Sequence, residues 1–184
     1  MTNDTGSPPT LHSNRLTFRA LNEKDIYSIQ KILQDQDVVN YDLGNPVTSY
    51  EEADYYLKRM KKTNFYSWGI VLKETNQLIG LSGFRNLDLI SYQGEIGAVI
   101  AKAYWKQGFG REILQTILSF GFKKLSLNRI YAKVLPQNKS VNHILRKYDF
   151  LLEGTLRETI YRNGSFSDIN IYSLLKKEYK HDHS

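Results

Sequence analysis

The sequence predicts a mixed α/β sheet with helices on its faces, and three observations carry that expectation. Apolar residues recur at period two in some segments and at helical spacing in others, and the two kinds alternate along the chain. With 184 residues, one domain can bury about two-thirds or more of its unfolded surface without disulfide or metal staples. A glycine-bearing turn stands where a strand gives way to a long amphipathic helical pattern.

Each element follows from its local pattern. The polar residues 1–10 (MTNDTGSPPT) are expected to be a disordered start, with one domain over 11–180 and a polar tail at 181–184. Residues 15–21 place Leu16, Phe18 and Ala20 on one face, as a half-buried strand does. Asn22 caps a helix carrying Ile26, Ile29 and Leu33, and Ser49 with Glu52 forms a capping box before Ala53, Tyr56, Leu57 and Met60. Strand-like runs at 68–72 and 78–84, separated by a polar turn, should pair antiparallel. A third run, 94–100, leads through YWKQGFG (104–110) into a helix with Ile113, Leu114, Ile117, Leu118, Gly121 and Leu125 on one side. Then come a strand at 129–135 closed by Pro136, a helix with Val141, Ile144, Leu145 and Tyr148, and a hairpin of 150–161 and 169–175 around Asn163-Gly164.

Composition excludes several chemistries. No cysteine is present, which removes disulfides, thiolate metal sites, iron–sulfur clusters and cysteine nucleophiles together. No run approaches the ~18 consecutive apolar residues of a membrane span, and the polar start cannot serve as the apolar core of a secretory signal, so a cytoplasmic protein without membrane contact is expected. The net charge is +6, from 25 Lys and Arg against 19 Asp and Glu. The basic runs lie beside apolar residues at helical or strand spacing, which reads as solvated faces; nucleic acid is not expected as a direct ligand.

Residues 105–111 (WKQGFGR) are the most informative stretch. A glycine turn at a helix N-terminus exposes backbone N–H groups at the positive end of the helix dipole, which suits phosphate. Lys106 and Arg111 add charge at the rim, and Gly108 and Gly110 offer close approach. Neither the Walker spacing Gly-x4-Gly-Lys-Ser/Thr nor Gly-x-Gly-x-x-Gly is present. By itself the turn fits equally a tight connection with close helix packing.

Taken in chain order, EIGAVI (95–100), YWKQGFGREIL (104–114), LNRIYAKV (127–134), Asn138 and FLLEG (150–154) resemble the GNAT superfamily of acetyl-CoA-dependent N-acetyltransferases. RLTFR (15–19), TSYEEA (48–53), GTLRE (154–158) and NGSFSD (163–168) resemble its RimJ/RimL branch, which acetylates ribosomal-protein N-termini. The likeness runs from about Leu11 to Tyr179.

The resemblance implies a GNAT-like, mostly antiparallel sheet of about seven strands with about four helices, splayed between the fourth and fifth strands. It implies acetyl-CoA as cosubstrate with no metal. The backbone of Gln107, Gly108, Phe109, Gly110 and Arg111, with Lys106 beside it, would hold the pyrophosphate. The pantetheine would pair with backbone at Val99 and Ala101, a backbone N–H near Val99 would polarise the thioester carbonyl, and Asn138 and Ser140 would complete the cofactor site. Asn138 reads equally as a plain N-cap.

Glu95 is the candidate base because it lies on the strand expected to line the acyl site; it reads equally as a strand glutamate paired with Arg129 or a lysine. Tyr148 and Tyr131 are candidate proton donors to the leaving thiolate, with a core role as the plainer reading of each. Val141 and Ile160 stand where enzymes of the branch carry serine and glutamate, and Asp149 stands where glycine is usual before Phe150. The expected acceptor is a primary amine, first a ribosomal-protein N-terminus, otherwise a polyamine or aminoglycoside-like amine; a non-catalytic acyl-CoA-binding module and a homodimer stay open. An α-amine of pKa near ~8 is about a tenth neutral at pH 7, against fewer than about one in a thousand for lysine, a gap of about 3.3 kcal/mol. An N-terminal acceptor therefore asks little of a base.

Overall fold

The computed structural model describes residues 7–41, 46–61, 66–162 and 164–180. Most of the expected disordered start, the tail 181–184 and Asn163 of the expected turn lie outside these residues. Within the start, Pro9 is engaged, its carbonyl accepting from Trp68 Nε1 at 2.7 Å. Among the described residues no helix is long and apolar enough to cross a membrane.

The described residues form one mixed sheet of eight strands: β1 (Leu11–His12), β2 (Leu16–Ala20), β3 (Tyr66–Leu72), β4 (Gln77–Asp88), β5 (Gln93–Ile100), β6 (Arg129–Val134), β7 (Leu151–Arg162) and β8 (Ser165–Leu175). Among the described residues five α-helices accompany it: α1 (Ile26–Leu33), α2 (Gln36–Tyr41), α3 (Tyr50–Met60), α4 (Phe109–Lys123) and α5 (Lys139–Lys147). The spatial order is β1-β2-β3-β4-β5-β6-β8-β7, antiparallel throughout except between β5 and β6. The mixed architecture is the one expected, with one strand and one helix more than the approximate numbers. The two-residue β1 is too short to show a period, and α2 carries only Val38 and Val39 as buried positions.

Two apolar clusters hold the layers together. Phe84, Ile113, Ile117, Leu118, Ile130 and Tyr172 are buried in one, which includes α4; Ile29, Ala53, Leu57, Leu81 and Val99 are buried in the other, which includes α1 and α3. Local chemistry sets the helix starts. Ser49 accepts from the Glu52 N–H while Glu52 accepts in return, and Asn22 with Asp25 forms a second capping box. Arg19 donates to both oxygens of the buried Asp25 at 2.8 and 2.7 Å. Burial pushes the Asp25 carboxyl up, but the bonds from Arg19 and from the Asn22 N–H outweigh it and hold it below its ordinary value.

A buried amide network, unmarked in the sequence, fixes α5. Asn142 donates to Leu135 O at 3.0 Å and Asn138 O at 2.7 Å, and its Oδ1 accepts from Asn170 Nδ2 at 3.0 Å and Tyr172 OH at 2.9 Å. The helix closes on Asp149, whose φ of +61° lies in the left-handed region. That conformation explains why glycine suits the position.

Two outcomes are expected in solution. Asp149→Gly should raise unfolding free energy by up to about 1 kcal/mol in urea, because relief of left-handed strain exceeds the loss of an exposed pair with Lys180 at 3.4 Å. Because Asp25 titrates below its unfolded value, its contribution is present above the ordinary carboxylate range and lost as pH falls through the lowered value. Thermal scans should show melting temperature dropping below about pH 4, and Asp25→Asn should flatten that drop.

Candidate active site

The site originates where the sheet stops being continuous. β5 and β6 pair over only three rungs, Gln93 with Arg129, Gly94 with Ile130 and Glu95 with Tyr131, and then diverge. A cleft of about 170 Å³ occupies the fork, lined by Ile96, Ala98 and Ile100 of β5, Ala132, Lys133 and Val134 of β6, and Asn138, Val141 and Ile144 at the start of α5. Its floor is Glu95, and Gly110, Ile113 and Leu114 of α4 close another side.

Register decides which backbone groups face this cleft. β4 and β5 pair regularly from Gly80 opposite Ile100 to Arg85 opposite Glu95, and Ala101 N donates to Ile79 O at 2.9 Å. Alternation therefore turns the N–H and C=O of Gly97, Val99 and Ala101 toward β4, and those of Ala98 toward the fork. The expected backbone partners Val99 and Ala101 are one residue out of phase, and neither lines the cleft. The Ile100 carbonyl also turns away from β4, where Trp105 Nε1 reaches it at 2.7 Å.

The glycine turn stands at the N-terminus of α4. Gly108 is the N-cap at φ +83°, so no side chain caps the helix and the N–H groups of Phe109, Gly110 and Arg111 have no partner within its first turn. Lys106, Gln107, Gly108 and Arg111 are exposed. Phe109 is buried; its ring packs beneath Arg15, whose Cζ lies 4.0 Å from the ring centroid, so only its backbone can face a ligand. Arg15 also donates to Gln107 O at 2.9 Å and to Glu112 Oε2 at 2.8 Å, while Glu112 Oε1 accepts from Ser13 Oγ and Arg15 N. Burial raises the Glu112 carboxyl, but these bonds hold it below its ordinary value. The turn is thus braced by Arg15, a role that the strand pattern around that residue does not mark.

Glu95 is buried, at 5% exposure, and its Oε2 accepts from Asn86 Nδ2 at 3.0 Å and pairs with Lys133 Nζ at 3.1 Å. Arg129, the other expected partner, bonds Glu153 instead. Tyr131 stands opposite Glu95, and burial followed by the Glu95 charge pushes its hydroxyl up.

Tyr148 does not reach the cleft. Its side chain lies in the core beside a separate hollow with Gln115, Thr116 and Tyr179, and burial pushes its hydroxyl up. Ser140 is exposed in the first turn of α5 and also misses the cleft, whereas the next residue, Val141, lines it. Each residue on an α-helix rotates about 100°, which separates them. Asn138 lines the cleft while its Oδ1 accepts from Val141 N at 3.2 Å, so N-cap and cleft-wall roles coincide. Beyond Gly97, on the α3 side of the sheet, Tyr56, Met60, Ser67, Ser82, Arg85 and Gly97 line a small hollow. Ser82, Arg85 and Gly97 border both spaces.

A family model described as an acetyltransferase (GNAT) domain matches residues 15–151. An uncharacterized N-acetyltransferase of Bacillus subtilis (strain 168), YoaA, is 33% identical over 172 residues, 91% of this chain and 97% of that protein. The putative ribosomal N-acetyltransferase YdaF of the same organism is 32% identical over 103 residues, 56% of each chain. Among solved structures, spermidine N-acetyltransferase from Vibrio cholerae in complex with CoA and spermine superimposes with a TM-score of 0.81 at 26% identity, over 90% of this chain and 98% of that one.

The turn makes a direct test. Gly108→Val forces a β-branched residue into the left-handed region and is expected to weaken coenzyme A binding at least tenfold by titration calorimetry. Arg15→Ala should weaken it as well, through loss of the brace on Gln107.

Proposed function

This chain belongs to the GNAT acetyltransferase family, and from that membership and the site geometry we propose that its acceptor is the α-amine of a protein N-terminus. The protein is an acetyl-CoA-dependent N-acetyltransferase. Acetyl-CoA supplies a thioester whose acetyl carbon exchanges its bond to sulfur for a bond to the amine nitrogen, with one proton leaving that nitrogen.

The residues present fit such a molecule. The open N–H groups of the first turn of α4 suit a pyrophosphate, and the cleft has the missing-strand form that an extended amide chain can fill. In this reading the Ala98 backbone N–H is the donor to the acyl oxygen. Glu95 receives the amine proton, and its Oε2 is held in place by Lys133 Nζ at 3.1 Å. Among the described residues no tyrosine lines the cleft. A thiol of pKa near about 8.5 departs as thiolate without one.

The observation that carries the choice of acceptor is the hollow on the α3 side: among the described residues it is lined by no carboxylate, and the one charged residue lining it is Arg85. A polyamine brings further positive charges that need acidic partners. On the helices α1 to α3 and their starts, Asp25 is paired with Arg19, Asp54 with Lys58 and Asp37 with Lys102, and Glu52 is held in its capping box. An N-terminal α-amine brings one charge and sheds it easily. The partial match to YdaF supports this reading; the spermidine enzyme of Vibrio cholerae supports the alternative, a small amine.

An acetyl-CoA consumption assay with N-terminal peptides beside spermidine and an aminoglycoside tests the proposal. Peptides should be the best acceptors, and spermidine outpacing them would reject it. Glu95→Gln should lower turnover at least tenfold while leaving coenzyme A affinity within about twofold; an unchanged pH–rate profile would remove Glu95 as the proton acceptor.

A further inference from the structure

At the junction of the two spaces stands Arg85, a cation without an acidic partner among the described residues. It is half-buried on β4, directly across the ladder from Glu95, yet Glu95 is bound to Lys133 and Asn86 and leaves Arg85 alone. Among the described residues no carboxylate comes within 4 Å of it. Its guanidinium instead leans over Gly97: a Cβ there would come within 3.0 Å of Nη2 and 3.2 Å of Cζ. The absence of a side chain at Gly97 is what gives the guanidinium its place beside the cleft.

Arginine cannot relieve partial burial by losing its proton, and its planar fork of donors matches a carboxylate in bidentate fashion. An unpaired guanidinium beside the acyl site is therefore a vacant half of an ion pair. The other half arrives with the acceptor, because the Glu95 carboxylate is engaged by Lys133 and Asn86 and, among the described residues, no other side chain lining either space is acidic.

Resting on the acetyltransferase reading, we propose that Arg85 is the specificity-determining residue and that the acceptor is an acidic amine, carrying a carboxylate beside the amine that reacts. That carboxylate is either the side chain of an aspartate or glutamate at the first position of a peptide, or the α-carboxylate of a free amino acid. The two share the same recognition chemistry and differ in whether a peptide chain continues beyond the first residue.

The test compares kcat/KM for peptides beginning with Asp, Glu, Ala and Lys, for free aspartate and glutamate, and for spermidine, using the native protein, Arg85→Gln, Arg85→Lys and Arg85→Glu. Acidic acceptors should exceed the Ala peptide roughly ten- to hundredfold in the native protein, mainly through KM. Arg85→Gln should erase that ratio, Arg85→Lys should keep part of it, and Arg85→Glu should turn preference toward the Lys peptide and spermidine. Coenzyme A binding measured on each variant identifies those that are folded. Activity whose acceptor ranking is the same in native protein, Arg85→Gln and Arg85→Lys overturns the assignment alone. No acetyl transfer to any acceptor overturns the acetyltransferase reading and the assignment with it.

Discussion

Three rungs of hydrogen bonds, from Gln93 to Glu95 against Arg129 to Tyr131, join the two parts of the sheet, and everything in the site depends on where they stop. Had the ladder continued, the backbone of Ala98 would be spent on β6 and the cleft would be closed. Because it stops, polar backbone is left beside apolar walls, a combination that an extended amide-bearing ligand satisfies better than water does. The parallel sense of this one pairing follows from the connection. The chain leaves β5, crosses through α4 and returns as β6, so the turn that starts α4 is placed at the end of β5 from which the fork opens.

The acid–base features of the site follow from the same fork. Glu95 is on the last rung, where it is shielded by two strands and reached by Lys133 from one and Asn86 from the other. It is thus buried with a cation and an amide donor beside it. Across the ladder, Arg85 has no such support and faces the neighbouring space. The site therefore places a paired carboxyl group and, among the described residues, a cation without an acidic partner on adjacent strands.

Much of this is legible in the sequence because it is local. The capping box of Ser49 and Glu52, the N-cap at Asn138 and the glycine turn are each set within a few residues, and the mixed sheet with an acetyltransferase resemblance follows from their order. The hidden part is set by register and rotation. The side of β5 that offers its N–H groups depends on how β4 pairs with it, and so the family resemblance points to Val99 and Ala101 where the register points to Ala98. Tyr148 shares an apolar stripe with Ile144 and Leu145, yet its ring enters the core beyond the end of the cleft. Arg85 and Arg15 are cations on strands, a placement without periodic signature; only long-range packing shows that one overlies Gly97 and the other braces a turn.

The interrupted ladder has a mechanical consequence. A sheet joined across its middle by three rungs has few hydrogen bonds along that seam, and a ligand that supplies the missing ones splints the two halves. Binding free energy then becomes resistance of the whole fold to unfolding, growing as the logarithm of ligand concentration over its dissociation constant. The protein's lifetime in the cell would thus follow the supply of its acyl donor.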